Sequence, residues 1–343
     1  MKRILSAILA SVMALTLVAC GGGNGGSTTP PAGGSSAGGS TSQTEGWVPT
    51  ENIEVVIPFS AGGGSDIFAR KLIEIIETQH MCPVNLIPTN KPGGSGVVGY
   101  TYLSSKGDSP YSIATTSSSF YSQPLTGNSP LSCYDDFDFV SHLCKDPTLM
   151  VANPARNFAD LQAMIDYAKA NPGKLKYGGT GNVSDDAILM YMLNDIAGIN
   201  LVYVPYDSGA EVLAAVLGGH IDLCGISPAE AGEHLSTGSL APLAVSADRR
   251  LDILADVPTF LELNIDINHQ QSRGVVMNAG QPQEVLDYYS DLMYRVTETP
   301  EWQQFLADNV MMEAYMDTTE YTAFNVELAN DYTEFLAIVM ATQ

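Results

Sequence analysis

The sequence predicts an α/β protein of two lobes with a ligand cleft between them, and three observations lead to this fold class. Residues 47–343 form a stretch too long for one comfortable core, because single hydrophobic cores stop growing at about 250 to 300 residues. Short apolar strands alternate with segments of helical periodicity. A glycine-rich turn joins a strand to a helix in each half, at 60–66 and 178–184.

The first glycine-rich turn lies within IPFSAGGGSDIFARKLIEII, residues 57–76. The preceding strand is predicted at 53–59, and Ser65 or Asp66 stands where a helix cap is expected. One glycine would be enough to supply a positive φ. Three in a row, at 62–64, also remove every side chain where backbone N–H groups and the positive helix end face outward. The turn therefore predicts a main-chain socket for an anion.

The chain begins with features of an exported lipoprotein. Lys2 and Arg3 precede an apolar run that is shorter than the roughly 20 residues of a membrane span, so residues 1–19 are predicted to be a signal peptide. The sequence LVAC looks like a bacterial lipobox, in which Cys20 would receive a lipid; the alternative is an ordinary cleavage site before a cysteine. Residues 20–46 are rich in Gly, Ser, Thr and Pro and predict a flexible tether.

The remaining elements repeat the strand, loop and helix unit. In the first lobe we predict a strand at 84–89, a second glycine-rich turn at 90–96 leading into 97–104, and a strand at 111–114. In the second lobe we predict a strand at 149–152, a helix capped by Asn157 and stopped at 171–173, strands at 175–177, 201–204, 221–226 and 243–246, and a helix ending at Gly218. A strand at 274–277 and helices after Pro282 and Pro300 complete the chain.

Composition excludes several classes of partner and of site. A net charge of −23, from 38 acidic and 15 basic residues, disfavours nucleic acid and anionic membrane surfaces. The cysteines other than Cys20 form no C-x-x-C pair and no zinc spacing. A disulfide between Cys133 and Cys144 is one alternative for an exported protein, and buried small apolar side chains are the other.

No catalytic or cofactor fingerprint is present. Ile67 breaks a G-x-G-x-x-G pattern that starts at Gly62, and neither a P-loop nor G-x-S-x-G occurs. The histidines lie apart from any Cys or Ser nucleophile pattern, and the pair Asp185 and Asp186 suits the dipole of a first helical turn. We therefore predict a binding protein without a cofactor, a metal or enzymatic activity.

Magnitudes favour two loops acting together on one anion. A helix N-terminus contributes about 0.3 to 2 kcal/mol and a hydrogen bond to a charged group about 1.5 to 3 kcal/mol. Micromolar affinity needs about 8 kcal/mol. Two loops that close on the same carboxylate could reach this value, and this favours a hinged cleft between lobes.

Several motifs in order resemble those of the Bug receptors, the substrate-binding proteins of tripartite tricarboxylate transporters, also called the TctC family. They are PF at 58–59 before GGSD at 63–66, NKPG at 90–93, AKANPGKLKYG at 168–178, VPY at 204–206, GGHID at 218–222, LAVS at 243–246 and VPT at 257–259. The resemblance implies a periplasmic-binding-protein-like (Venus flytrap) fold. It also implies a first lobe of residues 47–148 plus 271–343 and a second of 149–270, with chain crossings near 145–150 and 268–274.

The resemblance also implies which residues hold the ligand. The first loop would contribute Phe59, Ser60, Ala61, Gly62, Gly63, Gly64, Ser65 and Asp66, and the second Gly179, Thr180, Gly181, Asn182 and Ser184. Tyr206, Asp207, Ser208, Gly209, Ala210 and Ser227 would line the variable side of the cleft. Thr180 stands where many members have Ser. Asp66 either holds its loop in shape or binds an ammonium or water beside the ligand.

Arg273 is a further departure from the family pattern. We expect its guanidinium to bind a second ligand carboxylate, and the alternative is a salt bridge across the hinge. The function implied by the resemblance is that of a monomeric, lipid-anchored extracytoplasmic receptor that delivers a small organic carboxylate to a membrane permease. The alternatives are a ligand-sensing ectodomain of a signalling system and an exported carboxylate-processing enzyme.

Overall fold

The computed structural model describes residues 46–180, 183–206 and 208–341. The predicted signal peptide, Cys20 and nearly all of the predicted tether lie outside the described residues, as do Gly181, Asn182 and Asp207 of the predicted site. Within the described ranges, no helix combines the length and the apolar character that crossing a membrane requires.

The strands and helices alternate along the chain. The strands are β1 (Ile53–Ile57), β2 (Leu86–Asn90), β3 (Ser112–Thr115), β4 (Phe137–Asp146), β5 (Thr148–Ala152), β6 (Lys176–Thr180), β7 (Val202–Tyr206), β8 (Leu223–Ile226), β9 (Ala241–Ser246), β10 (Gln271–Asn278) and β11 (Met312–Met316). The helices are α1 (Gly64–Thr78), α2 (Val97–Ser104), α3 (Ser118–Leu125), α4 (Leu161–Ala170), α5 (Asp185–Ala197), α6 (Gly209–Leu217), α7 (Pro228–Ser236), α8 (Gln283–Thr297), α9 (Pro300–Asn309) and α10 (Thr318–Ala341).

The first sheet has the strand order β11-β4-β10-β3-β1-β2 and is covered on both faces. β1 pairs in parallel with β2 and β3, whereas β10 and β11 pair antiparallel to β4. Successive residues of β1 point to opposite faces, so that Val55 packs with Phe68 of α1 and Trp302 of α9, while Val56 packs with Phe120 of α3. Helices on both faces explain why the four apolar residues of this strand are all buried, with Glu54 as its one polar residue.

The second sheet has the order β7-β6-β8-β5-β9 and the same layered construction. β6 is parallel to β7 and β8, and β5 is antiparallel to β8 and β9. Met150 and Val151 of β5 belong to cores on opposite faces, the first with Met164 of α4 and the second with Val216 of α6. The predicted α/β class is confirmed.

The chain passes twice between the two sheets. β4 ends at Asp146 in the first sheet and β5 begins at Thr148 in the second, so Pro147 alone separates them. The chain returns to the first sheet at β10. The N-terminal part of α5 also packs against the first sheet's helices, because Ile188 is buried in the same cluster as Phe120 and Tyr332.

Two predicted caps and one alternative pairing are wrong. Asn157 ends a short 3₁₀ turn with φ 55°, and Asp160 caps α4 instead by accepting a hydrogen bond from the Ala163 amide at 2.8 Å. Ser65 lies inside the first turn of α1, which has Gly63 as its N-cap and no side-chain cap. The disulfide alternative also fails, because the cysteines at 133 and 144 are buried free thiols.

Candidate functional site

A cleft of about 550 Å³ lies between the two sheets and is lined by both lobes. Residues on the first-lobe side are Phe59, Gly64, Ser65, Ser95, Ser117, Ser118, Ser119 and Gln123. Residues on the second-lobe side are Thr180, Val183, Ser184, Asp185, Asp186, Gly209, Ile226, Ser227 and Glu230. The chain crossings add Asp146, Pro147, Thr148, Gln271 and Arg273.

The N-terminal ends of α1, α3, α5, α6 and α7 all border this cleft. Each contributes a residue of its first turn or its N-cap to the wall, as Gly64 does for α1, Ser118 for α3 and Ser227 for α7. The N-terminal end of a helix carries a partial positive charge and unpaired N–H groups. The fold therefore directs several partial positive charges at one space, and this favours an anionic ligand.

In the first loop, backbone conformation accounts for only one of the three glycines. Gly62 has φ +84°, which favours glycine. A Cβ on Gly63 would lie 3.5 Å from the Ser60 carbonyl oxygen, and one on Gly64 would lie 3.6 Å from Arg273 Nη2, both ordinary contacts. The amides of Gly64 and Ser65 have no acceptor among the described residues. The missing side chains thus leave room beside unpaired amides at the start of α1.

Asp66 holds this loop in shape. Its Oδ2 accepts hydrogen bonds from the Gly62 amide at 2.9 Å and from Arg70 Nε at 2.9 Å, and its Oδ1 accepts one from Asn90 Nδ2 at 2.9 Å. Burial raises the pKa of the carboxyl, but the bonds from Arg70, Gly62 and Asn90 outweigh it and lower the pKa to about 2. Both oxygens are used within the first lobe, as the shape-holding interpretation expects.

In the second loop an Asp also accepts a backbone N–H, and the residues around it are packed more closely. Asp186 Oδ2 accepts a hydrogen bond from the Thr180 amide at 3.1 Å, and Ser184 Oγ caps α5 by accepting one from the Ala187 amide at 3.4 Å. A Cβ on Gly179 would lie 2.5 Å from the Tyr203 hydroxyl. Gly179 is therefore required by packing, in contrast to the open surroundings of Gly63.

The negative charge of Asp186 is balanced by fewer hydrogen-bond donors than that of Asp66. Burial raises its pKa, the Thr180 amide lowers it, and the negative charges of Asp185, Glu230 and Asp146 raise it further, to about 7. Asp186 Oδ1 has no hydrogen-bond donor among the described residues. Burial and the charge of Asp146 also raise the pKa of Glu230.

Asp185, the neighbour of Asp186, is fully engaged. It accepts hydrogen bonds from His269 Nε2 at 2.6 Å, Gln271 Nε2 at 3.2 Å and the Tyr332 hydroxyl at 3.3 Å, and from the Ser118 hydroxyl. Burial raises its pKa, but the bonds from His269, Ser118 and Tyr332 leave it lowered. These donors come from α3, α10 and the chain crossing, so Asp185 ties the second-lobe helix α5 to the first lobe.

Arg273 forms the salt bridge that was the alternative to a ligand contact. Its Nη2 and Nε donate to Asp146 Oδ2 at 2.6 and 3.2 Å. The two side chains are only 8% and 13% exposed, so the pair is largely shielded from water. The guanidinium still lines the cleft, and its Nη1 has no acceptor among the residues that the structure describes. The predicted ligand contact stays a prediction.

The structure brings part of the predicted site together around one cleft. The predicted residues that line the cleft are Phe59, Gly64, Ser65, Thr180, Ser184, Gly209, Ser227 and Arg273. The other described ones belong to the same loops or to β7 and α6 but do not line it: Ser60, Ala61, Gly62, Gly63, Asp66, Gly179, Tyr206, Ser208 and Ala210.

Sequence reasoning missed the serine run 117–119, the acidic residues Asp146 and Glu230, and a cleft role for Asp186. The serines follow the C-terminal end of β3, which is next to β1 in a parallel arrangement. Ligands of open α/β sheets bind outside such strand ends, so a predicted strand followed by TTSSS was a usable signal.

Comparisons with known proteins agree with this architecture. A family model described as "Tripartite tricarboxylate transporter family receptor" matches residues 69–337. The chain is 29% identical over 279 residues to the "UPF0065 protein in gbd 5′region" of Cupriavidus necator, covering 81% of this chain and 84% of that protein.

Solved structures have the same fold. The crystal structure of a TctC solute binding protein from Polaromonas, solved without ligand, has a TM-score of 0.73 and 27% identity, covering 85% of this chain and 99% of that one. MatC from Rhodopseudomonas palustris with bound malate has a TM-score of 0.70 and 19% identity, with coverage of 85% and 99%. The predicted two-lobed binding-protein fold is confirmed.

Proposed function

The chain belongs to the tripartite tricarboxylate transporter receptor family, and from this premise we propose that its cleft captures a small organic carboxylate through main-chain amides of the two facing loops. The family is one of extracytoplasmic solute-binding receptors rather than enzymes. Malate is bound in the solved structure of MatC, a protein with this fold, and this supports a carboxylate as the ligand.

The convergence of helix N-termini on one cleft is the observation that carries the proposal. The amides of Gly64 and Ser65, which have no acceptor in the part of the chain that the structure describes, supply donors from α1, and the serines at the start of α3 add hydroxyl groups. The second loop faces them with Thr180 and Ser184. At about 1.5 to 3 kcal/mol for each hydrogen bond to a carboxylate, contacts from both lobes together reach the roughly 8 kcal/mol of micromolar binding.

We further propose the cellular setting that the N-terminal sequence favours. Cys20 is the lipid attachment site, residues 20–46 form the tether, and the monomeric receptor hands its ligand to a membrane permease. We retain the assignment of residues 47–148 with 271–343 to one lobe and 149–270 to the other as part of this proposal. A sensing role would use the same cleft with a signalling partner in place of the permease.

A thermal-shift screen tests the carboxylate. The probes are organic acids, each paired with its uncharged amide, for example succinate with succinamide. An acid at 100 times its Kd adds about 2.7 kcal/mol to the free energy of unfolding, which is a shift of several degrees, and the amide should give none. If no acid raises the melting temperature, or if amides raise it equally, the proposal is wrong.

The role of Arg273 has its own test. If its guanidinium binds a second carboxylate, Arg273→Lys lowers the affinity for dicarboxylates more than that for monocarboxylates, because Lys lacks the planar fork. Arg295→Lys is the matched control, since Arg295 bonds Asp291 on α8 and does not line the cleft. Unchanged affinity for both classes with Arg273→Lys would restrict Arg273 to its salt bridge with Asp146.

A further inference from the structure

Asp186 occupies a main-chain donor on the wall of the cleft. Its Oδ2 accepts a hydrogen bond from the Thr180 amide at 3.1 Å, and both residues line the cleft. In the proposed function the second loop offers its amides to the ligand carboxylate. Because an amide has one N–H to donate, a ligand that takes the Thr180 amide must displace the carboxylate that is already bonded there.

This contact is easier to break than its counterpart in the first loop. Asp66 bonds a loop amide, is also held by Arg70 and Asn90, and does not line the cleft. Asp186 has the Thr180 amide as its one donor within the described part of the chain. A carboxylate with a single donor gives up fewer hydrogen bonds when it moves. Asp186 can therefore leave its amide at a lower cost than Asp66.

A second polar group stands beside Asp186 without a partner. Tyr177 on β6 is fully buried, and its hydroxyl has no hydrogen-bond partner within residues 46–180, 183–206 and 208–341. A Cβ on Gly225 would lie 2.6 Å from Tyr177 Oη and 2.8 Å from Asp186 Oδ1, so the two oxygens border the same small space. A buried hydroxyl without a partner is costly. Gly225 keeps this space open, because any side chain there would overlap both oxygens.

We propose that Asp186 is a two-position carboxyl, which occupies the Thr180 amide until the ligand carboxylate displaces it toward the Tyr177 hydroxyl. In the first position Asp186 competes with the ligand for the second loop. In the second position it bonds the hydroxyl that lacks a partner among the described residues, and this bond offsets part of the lost contact. The inference rests on the proposed carboxylate-binding function and concerns the regulation of that site.

The titration of Asp186 supports the displacement. The charged and titratable groups around it are Asp185, Glu230, Asp146 with its partner Arg273, Tyr177, Tyr203 and Cys224. Burial and the neighbouring carboxylates raise the pKa of Asp186 to about 7, although the Thr180 amide lowers it. Displacement removes the amide contact, so the displaced carboxyl takes a proton from solvent and donates it to Tyr177 Oη. Above pH 7, ligand binding is therefore coupled to the uptake of a proton.

Calorimetry at pH 6 and pH 8 tests the displacement, with succinate, glutarate and adipate as the probes. We expect the wild-type affinity to fall about tenfold over this range, because ionised Asp186 holds the amide and its pKa is about 7. Asp186→Ala removes the competing acceptor and should bind at least about tenfold more tightly than wild type at pH 8. Titration of the probe itself affects both proteins alike, so the ratio of their affinities isolates Asp186.

Two further variants separate charge from shape and provide the control. Asp186→Asn keeps an acceptor of similar shape without the charge, so its affinity should vary less with pH than that of wild type. Asp195→Asn changes an exposed residue on the same helix and should behave like wild type at both pH values. Thermal unfolding of each variant shows that it is folded.

Tyr177→Phe tests the second position. Its hydroxyl has no partner among the residues that the structure describes, so its removal should not lower the melting temperature, whereas affinity for the same acids should fall severalfold. Proton uptake is measured by calorimetry in HEPES and in Tris, which differ in ionisation enthalpy. At pH 8 it should approach one proton per ligand in wild type and be absent in Asp186→Ala.

The outcomes separate this inference from the proposed function. The displacement is overturned if Asp186→Ala binds no more tightly than wild type at pH 8, or if wild type takes up no proton. Unchanged affinity in Tyr177→Phe overturns the second position. In each of these cases the carboxylate receptor still stands. If none of the three acids binds wild type or Asp186→Ala at pH 6, the carboxylate function and the displacement are both wrong.

Discussion

The two glycine-rich loops share one construction and differ in its charge compensation. In each, a strand runs through glycine into a helix whose first turn carries an Asp that accepts a backbone N–H of the loop: Asp66 from Gly62 and Asp186 from Thr180. Asp66 also bonds Arg70 and Asn90, whereas Asp186 has neither a cation nor a second donor among the described residues. The same local construction therefore gives a fully compensated carboxylate in one lobe and a carboxylate with a single donor on the cleft wall in the other.

The pKa directions express this difference. The pKa of Asp66 is lowered to about 2, and that of Asp186 is raised to about 7, although burial acts in the same direction on both. Compensation by donors and cations decides the sign. Sequence position alone is a poor guide to which carboxylate is available to a ligand.

The largest effect should come from the engaged carboxylate beside Asp186. Asp185→Ala removes a buried acceptor of four side chains and leaves His269 without its partner, so we expect the free energy of unfolding to fall by about 3 to 5 kcal/mol. Urea unfolding measures this change. Asp195→Ala, which is exposed on the same helix, should stay within about 0.5 kcal/mol of wild type. Equal effects would show that Asp185 does not tie the lobes together.

The next largest effect should come from alanine substitutions of the loop glycines, which we expect to change stability differently in the two loops. Gly179→Ala should lower the free energy of unfolding by about 1 to 3 kcal/mol, because its Cβ would overlap Tyr203 and Asp186. Gly63→Ala has an open site and a negative φ of −82°, so it should be neutral or raise stability by up to about 1 kcal/mol. Chemical unfolding measures the free energy of unfolding of both variants. A destabilised Gly63→Ala would contradict the expected difference between the two loops.

Neutralising Asp66 in the first loop should destabilise the protein. The folded pKa of Asp66, about 2, lies below its ordinary value of 3.8, so its contribution is complete above that value and disappears as pH falls through 2. Asp66→Asn should therefore lower the free energy of unfolding by about 1 to 2 kcal/mol at pH 7 and by much less at pH 2. The expected change in free energy is small because Arg70 is half-exposed, and solvent screens its ion pair with Asp66. An effect that is independent of pH would contradict the assigned cause.

Neutralising Asp186 in the second loop should stabilise the protein, the opposite of the effect at Asp66. The folded pKa of Asp186, about 7, lies above 3.8, so ionisation destabilises the fold as pH rises and does so completely only above 7. Asp186→Asn should raise the free energy of unfolding by about 1 kcal/mol at pH 8 and leave it nearly unchanged at pH 3.5. Destabilisation at pH 8 would mean that the Thr180 contact outweighs the unpaired charge.

Much of the layered fold followed from sequence because it depends on local pattern. The strand–glycine–helix units gave β1 with α1 and β6 with α5, since strand length, glycine and helical periodicity adjoin one another in the chain. β4 and β11 were missed. Most of β4 lies in CYDDFDFVSHLC, residues 133–144, where polar residues interrupt the apolar pattern, and the strand is defined by antiparallel pairing with the distant β10.

The site was only partly predictable for a related reason. Loop membership followed from the glycines, but the compensation of Asp66 depends on Asn90, which is 24 residues away, and the engagement of Asp185 depends on His269 and Tyr332. Asp185 and Asp186 do lie in the first turn of a helix, as the dipole interpretation expects. That interpretation does not predict which side chains they bond. Charge compensation is a tertiary property, and spacing along the chain does not contain it.

Amide NMR shows whether main-chain amides of both loops hold one carboxylate. The ¹⁵N-labelled protein is titrated with the carboxylate that gives the largest thermal shift, and the amide resonances of Gly64, Ser65, Thr180 and Ser184 are followed. We predict saturable shifts at both loops with a single Kd. Binding that leaves the Gly64 and Ser65 amides unshifted, or that moves one loop alone, would contradict the claim.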